Sequence, residues 1–186
     1  MKASLKKPIL IGIASTAGVL LLAALGWFIY FNAQFNTYQD PDHRFSIKYP
    51  KTWRILPYPM KDVAVLFLRP KDTALDLMEE NFSVTIQVAP VMDRTVAAFS
   101  ATVKRQMTAV FKKNINIVED RPIKWGWREG HLMAFEAPHP QHLKMVTAWL
   151  LRGDKAYLLN FLGDMNKYAH DSVFVNEMIR SFQLQQ

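Results

Sequence analysis

The chain has 186 residues, of which 50% are hydrophobic, so it can hold one domain of ordinary size and an appendage. It contains no cysteine, which excludes disulfides, thiolate metal sites, cysteine nucleophiles and a lipid-modified cysteine. Lys2, Lys6 and Lys7 supply three charges of the formal net charge of +7, and the other basic residues are spread along the chain. This spread lacks the clustered stripe of a nucleic-acid-binding surface, so we expect no nucleic-acid partner.

Residues 8–31 form the first predicted element, an uncharged and largely apolar segment. About 20 apolar residues in a helix span the hydrocarbon core of a bilayer, so the segment is long enough to cross a membrane. Trp27 and Tyr30 lie near its end, where amphipathic rings favour the headgroup region. The segment therefore predicts a single transmembrane helix.

The charges on either side of this segment predict its orientation. Residues 1–7 carry Lys2, Lys6 and Lys7, whereas acidic residues are among the first charges that follow the segment. Positive charge is retained on the cytoplasmic side of a membrane. We expect residues 1–7 in the cytoplasm and the rest of the chain in the periplasm or outside the cell.

A cleaved signal peptide is the alternative interpretation of the same segment. The small residues of Ala24-Leu25-Gly26 have the spacing of a cleavage site. The apolar segment, however, exceeds the roughly 7–15 residues of a signal-peptide core, and cleavage there would expose an apolar terminus. An uncleaved anchor is the interpretation that we favour.

The exported part is predicted to consist of a short tether, residues 32–42, and one domain, residues 43–186. Residues 45–50 alternate between apolar and polar side chains, which predicts a half-buried strand that ends at a proline. Residues 63–68 are apolar on both faces, and residues 81–88 alternate again. These segments are the first strands of the predicted sheet.

A change of period predicts an amphipathic helix from about residue 95 to 112, with Asp93 or Thr95 at its cap. Arg152-Gly153-Asp154 separates two apolar segments and is typical of a tight turn. The other predicted elements are strands near residues 114–120, 123–127, 131–137, 144–151 and 155–162 and a helix over residues 171–182. The order predicts an α+β fold in which a largely antiparallel sheet is sandwiched between helices, after the transmembrane helix.

Several phrases of this sequence resemble the PsbP-like family, which includes DcrB-type bacterial envelope proteins. They are FSIKYPKTW near the start, NFSVTIQV, and LKMVTAWLLRGDKAYLLNF followed by a helix that ends in IRSFQL, in that order within residues 38–185. The resemblance implies an antiparallel sheet between helices, in an accessory or assembly protein outside the cytoplasmic membrane. This chain would then be a membrane-anchored bacterial member, and the resemblance transfers fold better than activity.

Glu136, His139 and His142 are the candidate metal ligands, because two imidazoles three residues apart can chelate a metal beside a carboxylate. They lie in a predicted hairpin loop with two prolines, and a third strong ligand is not evident in the sequence. We favour an exposed polar loop and expect neither a metal site nor a cofactor.

Trp125 and Trp127 are the candidate partner-binding residues. In an extended strand, side chains two positions apart share a face, so the two indoles are expected side by side. Buried, they would form a cross-strand pair; exposed, they would anchor a protein partner or a lipid surface.

The sequence offers little to suggest an enzyme. It contains neither a phosphate-binding glycine loop nor the spacing of a nucleophile elbow or a zinc protease, and no serine has a neighbouring histidine to activate it. We expect a non-catalytic, membrane-tethered accessory module that binds an envelope or membrane protein complex. The alternative is an extracytoplasmic ligand- or metal-binding domain with hydrolytic activity, which would use a groove between the sheet and the helices.

Overall fold

The structure is a computed structural model that describes residues 6–73, 79–111, 115–137 and 142–185. Within these ranges, the side chains at residues 6–17, 58, 59 and 111 are not described. The elements are α1 Lys6–Asn32, β1 Phe35–Asp40, β2 Phe45–Pro50, β3 Arg54–Met60, β4 Val63–Leu68, β5 Asn81–Val88, a 3₁₀ turn Val91–Asp93, α2 Val96–Phe111, β6 Asn116–Trp125, β7 Arg128–Ala137, β8 Leu143–Arg152, β9 Lys155–Asp164, α3 Tyr168–Ser181 and β10 Gln183–Leu184.

The chain divides into two compact units, of which the first is Met1–Asn36 and contains α1. The uncharged segment 8–31 lies within this helix, and every residue from 19 to 30 is exposed. No membrane-spanning helix is found among the residues whose side chains are described, which in α1 begin at residue 18. The membrane anchor therefore stays a prediction.

The second unit, Thr37–Gln186, contains a seven-stranded sheet in the order β3-β4-β5-β9-β8-β7-β6. All neighbouring strands in it are antiparallel, which confirms the predicted sheet. Gly153, with φ of +64°, supplies the left-handed conformation that the predicted tight turn between β8 and β9 requires.

Helix α2 covers one face of this sheet, and its predicted bounds are confirmed to within one residue. Its side chains Phe99 and Val103 pack in a buried cluster with Phe135 and Trp149 of the sheet. The Thr95 hydroxyl accepts a hydrogen bond from the Ala98 N–H at 3.2 Å, so Thr95 is the N-terminal cap.

Helix α3 covers the opposite face. Phe135 of β7 belongs to the cluster under α2, whereas the adjacent Ala134 belongs to the cluster that contains Val175 and Met178 of α3. Since successive side chains of a strand point to opposite faces, the two helices lie on opposite sides of the sheet. The predicted sandwich is present in the structure.

The strand predicted to open the main sheet belongs instead to a second sheet, with the order β1-β2-β10. Phe45 and Ile47 of β2 are buried in the same cluster as α3, as the alternation predicted. Ser46 pairs with Gln183 of β10. This small sheet therefore shares with α3 the covering of one face.

The predicted tether over residues 32–42 contains a strand, β1, and the second compact unit begins at residue 37 instead of residue 43. Tyr38 packs on the ring of Phe67 with centroids 5.9 Å apart. The buried carboxylate of Asp40 accepts the His43 N–H at 2.8 Å and closes the turn into β2. The tether prediction is wrong for residues 35–40 because these tertiary contacts outweigh the polar composition.

We expect Gly130→Ala to destabilise the second unit. A Cβ at Gly130 would lie 2.5 Å from Cζ3 of Trp125 and 2.6 Å from the Trp149 carbonyl oxygen. Because backbone as well as a packed ring would have to move, the expected loss is about 1–3 kcal/mol. Thermal unfolding of the full chain in detergent measures the loss of stability, and near-ultraviolet circular dichroism reports the change in the packing of the tryptophans.

Gly126→Ala is the comparison. Gly126 has φ of +61° but open space around the position of a Cβ. Its expected cost is about 1 kcal/mol of backbone strain. The near-ultraviolet signal of the tryptophans outside the turn should not change. Equal stability of Gly130→Ala and the unsubstituted chain would contradict the packing described for Trp125.

Candidate functional site

A cleft with a volume of about 930 Å³ opens at the outer edge of the seven-stranded sheet, and we call it the β6 cleft. Strand β6 is the last in the strand order, and both helices reach its edge from opposite faces. The lining residues are Val96, Ala97 and Ser100 of α2, residues 121–125 of β6, residues 129–132 of β7, and Asn176, Ile179 and Arg180 of α3. The volume is within the range of ligand-binding sites.

The edge strand itself is poorly suited to accept another strand. Pro122 lies in its middle and has no N–H to donate. A register shift between Ile117 and Glu119 interrupts its pairing with β7. Proline, irregularities and charged side chains are the features that protect edges from pairing, so contacts at this edge depend on side chains.

The indole of Trp125 forms a fixed apolar part of the cleft. Its Nε1–H donates to the carbonyl oxygen of Ile179 in α3 at 2.6 Å. The ring lies against Gly130 and meets Phe182 edge-on at a centroid distance of 6.2 Å. A cleft that is shaped by such contacts is preformed before any ligand binds.

Three cationic side chains, Arg121, Lys124 and Arg180, line the β6 cleft, whereas Glu129 is the carboxylate among its lining residues. Arg121 pairs with Glu119 on the same strand. Among the described residues, Lys124 forms no ion pair. Each of the three cations thus has a carboxylate beside it or across the strand pair, so the cleft carries charges of both signs.

A charge network lies beside the cleft on the α2 side. Asp120 Oδ1 is 2.6 Å from Nε2 of His131, and its Oδ2 is 3.0 Å from Nζ of Lys104 in α2. Hydrogen bonds from His131 and Lys104 lower the pKa of the Asp120 carboxyl below its usual value. His131 also stacks on Trp149 at a centroid distance of 5.2 Å, so its ring is held from two directions.

Ser100 and His131 line the same cleft, a juxtaposition that the sequence did not indicate because the two residues lie on different elements. The Ser100 hydroxyl donates to the Val96 carbonyl oxygen at 2.6 Å, one helical turn away. His131 in turn contacts Asp120 through Nε2. Within the described parts of the chain, no hydrogen bond joins Ser100 to His131, so the pair lacks the contact of an activated nucleophile.

Trp127 lies at the tip of the β6–β7 hairpin, and the expectation that it shares a strand face with Trp125 is wrong. Trp125 pairs with Arg128, so Gly126 and Trp127 are the two turn residues. Positive φ at Gly126 makes the turn possible and rotates Trp127 away from the strand. Trp127 is 82% exposed, and the Arg128 guanidinium lies 4.2 Å from its ring centroid.

The candidate metal ligands are not brought together in the part of the chain that the structure describes. Glu136 Oε1 accepts a hydrogen bond from Lys144 Nζ at 2.8 Å, across β7 and β8. His142 is exposed with φ of +49°, and His139 lies outside the described residues. The described residues contain no group of three or more histidine or acidic side chains that could hold a metal ion.

The residues predicted to set the membrane topology lie in or before α1. Lys2 is outside the described residues, and the side chains of Lys6 and Lys7 are not described. Trp27 and Tyr30 are exposed, with ring centroids 6.2 Å apart. Their predicted role at a lipid headgroup boundary stays a prediction.

A second charged cluster lies at the start of α3, and none of its residues lines the β6 cleft. Arg69 Nε is 2.9 Å from Asp171 Oδ1, and Arg69 NH1 is 3.5 Å from Glu80 Oε2. Both carboxylates are buried, with exposures of 1% and 0%. Burial raises the pKa of the Asp171 carboxyl although Arg69 opposes this effect. The cluster ties the loops around β5 to α3, and its two buried carboxylates indicate a structural role.

Solved structures with the same fold include the following three proteins, each at low sequence identity to this chain. Cyanobacterial PsbP (CyanoP) from Synechocystis sp. PCC 6803 has a TM-score of 0.61 and 13% identity, over 82% of this chain and 93% of that one. The Saccharomyces cerevisiae Ran-binding protein Mog1p has a TM-score of 0.56 and 9% identity, over 81% and 95%. LpqN, described as involved in cell envelope biogenesis of Mycobacterium tuberculosis, has a TM-score of 0.58 and 10% identity, over 82% and 91%.

No protein-family model and no curated protein matches the sequence. The likeness to the solved structures shows that the second unit has the fold of PsbP and Mog1p. The fold that the resemblance implied is therefore confirmed. At these identities the likeness carries no activity or partner from those proteins to this chain.

We expect Arg69→Met to destabilise the protein by about 3–5 kcal/mol at neutral pH, because it leaves buried carboxylates without their guanidinium partner. Asp171 has a raised pKa in the folded state, so its protonated form favours folding and its ionisation opposes folding as pH rises. Without Arg69 that opposition grows, and the deficit should therefore be larger at pH 7 than at pH 4. Chemical unfolding at both pH values measures it.

Arg54→Met is the matched control. Arg54 is 66% exposed and pairs with the partly exposed Glu79 at 3.2 Å. Loss of such a surface pair costs about 0–1 kcal/mol. If the two variants unfolded at the same denaturant concentration, the structural role of the Arg69 cluster would be refuted.

Proposed function

We propose that this protein is a non-catalytic accessory module, tethered outside the cytoplasm by a single membrane helix, which binds a protein partner of the cell envelope through the β6 cleft. The observation that carries the proposal is the cleft itself. It combines an apolar surface around Trp125 with charged side chains of both signs, and it lies at the edge of the sheet that both helices reach.

The chemistry of the cleft favours binding over catalysis. The Ser100 hydroxyl is engaged by its own helix, and His131 is held between Asp120 and Trp149. What the cleft presents to a ligand is therefore charge and apolar surface, which are the means of recognition in protein interfaces.

Proteins of the same fold support an accessory role. LpqN is described as involved in cell envelope biogenesis and Mog1p as a Ran-binding protein. Neither description names a catalysed reaction. A protein of this fold can therefore act as a binding module, and the β6 cleft would be its binding surface.

The amino-terminal segment is the basis for the proposed membrane tether. Residues 8–31 carry no charge, three lysines precede them, and residues 19–30 are exposed on all sides of the helix. A helix that is apolar all round is stable when lipid or protein surrounds it. An anchor of this kind would hold the domain near membrane partners and raise their effective concentration, so that weak contacts suffice.

Photo-crosslinking in intact cells tests the partner and the surface together. A photoreactive residue at Ala97, which lines the cleft, should form a defined crosslinked product with a membrane or envelope protein. The same residue at Val110 is the control, because Val110 is exposed on the same helix about 20 Å away and does not line the cleft. Equal products at both positions, or none at Ala97, would contradict the proposal.

Cysteine labelling tests the proposed topology, and the chain contains no native cysteine that would react. Asp154→Cys in the exposed β8–β9 turn should react with a membrane-impermeant maleimide in intact cells, because the domain would lie outside the cytoplasm. Ser4→Cys, within the predicted cytoplasmic residues, should react only after lysis. The reverse pattern, or labelling of both only after lysis, would exclude the proposed orientation.

A further inference from the structure

We propose that the second unit contacts the headgroup layer of a lipid bilayer through one end of its seven-stranded sheet, and we call this surface the turn end. Its apolar side chains are Met60, Val88, Val91, Met92 and Trp127. Three observations carry the inference, namely the exposure of these side chains, their position on neighbouring turns, and the charges among them. It rests on the proposed function in one respect, because the proposed anchor supplies the bilayer.

The turn end holds very exposed apolar side chains. Among the described residues of the second unit, Met92, Trp127 and Val91 have the most exposed large apolar side chains, at 90%, 82% and 73%. Val88 and Met60 are also exposed, at 71% and 64%. Single exposed apolar residues are common on protein surfaces, whereas a group of them marks an interaction site.

Strand pairing places these side chains at the same end of the sheet. Val88, at the end of β5, pairs with Lys155 directly after the β8–β9 turn. Met60 precedes the β3–β4 turn, and β4 begins beside Thr85, near the end of β5. Trp127 lies in the β6–β7 turn, which shares an end with the β8–β9 turn because the β7–β8 hairpin turns at the other end. The apolar side chains therefore belong to neighbouring turns.

Backbone hydrogen bonds hold the segment after β5 in place. The Ala89 N–H donates to the Asp154 carbonyl oxygen at 2.7 Å, which joins this segment to the β8–β9 turn. The Asp93 N–H donates to the Pro90 carbonyl oxygen at 2.8 Å and closes the 3₁₀ turn Val91–Asp93, whose residues are all at least partly exposed. A fixed backbone thus presents these side chains to solvent, so their burial against a ligand requires little ordering.

The charges at the turn end favour lipid headgroups over a protein partner. Each turn carries both signs, in the pairs Lys61 and Asp62, Asp93 and Arg94, Arg128 and Glu129, and Asp154 and Lys155. Charged residues are depleted from the centre of protein interfaces, where they would lose their water. Zwitterionic headgroups instead offer hydrated phosphate and ammonium groups, which accommodate charges of both signs. The charge pattern therefore complements a headgroup layer.

A bilayer also suits the type and the placement of the apolar side chains. Tryptophan is enriched at the boundary between membrane and water, and the Arg128 guanidinium lies 4.2 Å from the ring centroid of Trp127. Because the side chains lie on separate turns, each can enter a lipid surface without a matching cavity. The proposed anchor would keep the bilayer close, since β1 begins at Phe35 and α1 ends at Asn32.

A fluorescent label on the full chain in nanodiscs of phosphatidylcholine tests the inference. The chain has no native cysteine, so Met92→Cys can carry a single environment-sensitive dye. Apolar groups at a membrane surface lie about 5–10 Å into the boundary between headgroups and acyl chains. The dye emission should therefore shift to the blue, and a nitroxide placed on the acyl chain close to the headgroup should quench it.

Val91→Cys and Val110→Cys are the matched pair, because the two valines are exposed to 73% and 71%. Val110 lies on α2 about 20 Å from the start of this helix at Val96. The dye at residue 91 should respond as at residue 92, whereas the dye at residue 110 should emit as in water. Equal quenching at residues 91 and 110 would overturn the inference, because the contact would not be specific to the turn end.

A second substitution tests whether the turns bind lipid as one surface. Trp127→Ser in the Met92→Cys chain should lessen the quenching at residue 92, because it removes the largest apolar side chain of the surface. Val173→Ser is the control, since Val173 is exposed on α3 and lies outside the turn end. Thermal unfolding verifies that both variants are folded. Unchanged quenching in Trp127→Ser would contradict a joint contact of the turns.

The proposed function and this inference fail separately. A chain that does not comigrate with nanodisc lipid in size-exclusion chromatography would refute the anchor, and the same labels are then read after addition of phosphatidylcholine vesicles. A dye at residue 92 that remains in water in both settings would overturn the inference. A photoreactive residue at Met92 that yields a protein product in cells, together with no lipid quenching, would assign the turn end to a protein partner instead.

Discussion

The central strands β7, β8 and β9 are apolar on both faces, and this constraint determines where the rest of the chain must go. Buried side chains of β8 alternate between two clusters, with Ala148 in one and Trp149 in the other. Exposure of either face would leave many large apolar side chains in water, at a cost of about 1.5–3 kcal/mol for each. One face is therefore covered by α2, and the other by α3 with the small sheet.

The β6 cleft is a consequence of how this covering ends. Strand β6 lies beyond the cluster under α2, and only its Ile123 and Trp125 reach the cluster under α3. The other residues of β6 pack in neither cluster, so charged side chains, a proline and a register shift are accommodated there. The same packing that buries the centre thus leaves β6 as a largely exposed border, of which Ile123 and Trp125 are held by contacts with the cluster under α3. Sites on rigid elements are preorganised, which is the property that a recognition surface needs.

Local patterns predicted much of the fold. The alternation of residues 81–88, the helical period of residues 96–111 and the glycine turn at residue 153 each depend on near neighbours, and the structure contains all three. The small sheet was not predicted, because β1 is polar in composition and β10 pairs with residues far away in the chain. The cleft depends on contacts of the same kind, such as Trp125 with Ile179, 54 residues apart. The pairing of Trp125 with Trp127 failed because one left-handed glycine reverses the chain between them.

Pro122 and the register shift in β6 have a consequence for copies of this chain that meet one another. A ten-residue border with continuous donors and acceptors would invite self-association into fibrils, particularly for molecules crowded on one surface. Pro122, which has no N–H to donate, and the register shift between Ile117 and Glu119 interrupt this border. The edge of the sheet can thus stay exposed without promoting self-association of the chain.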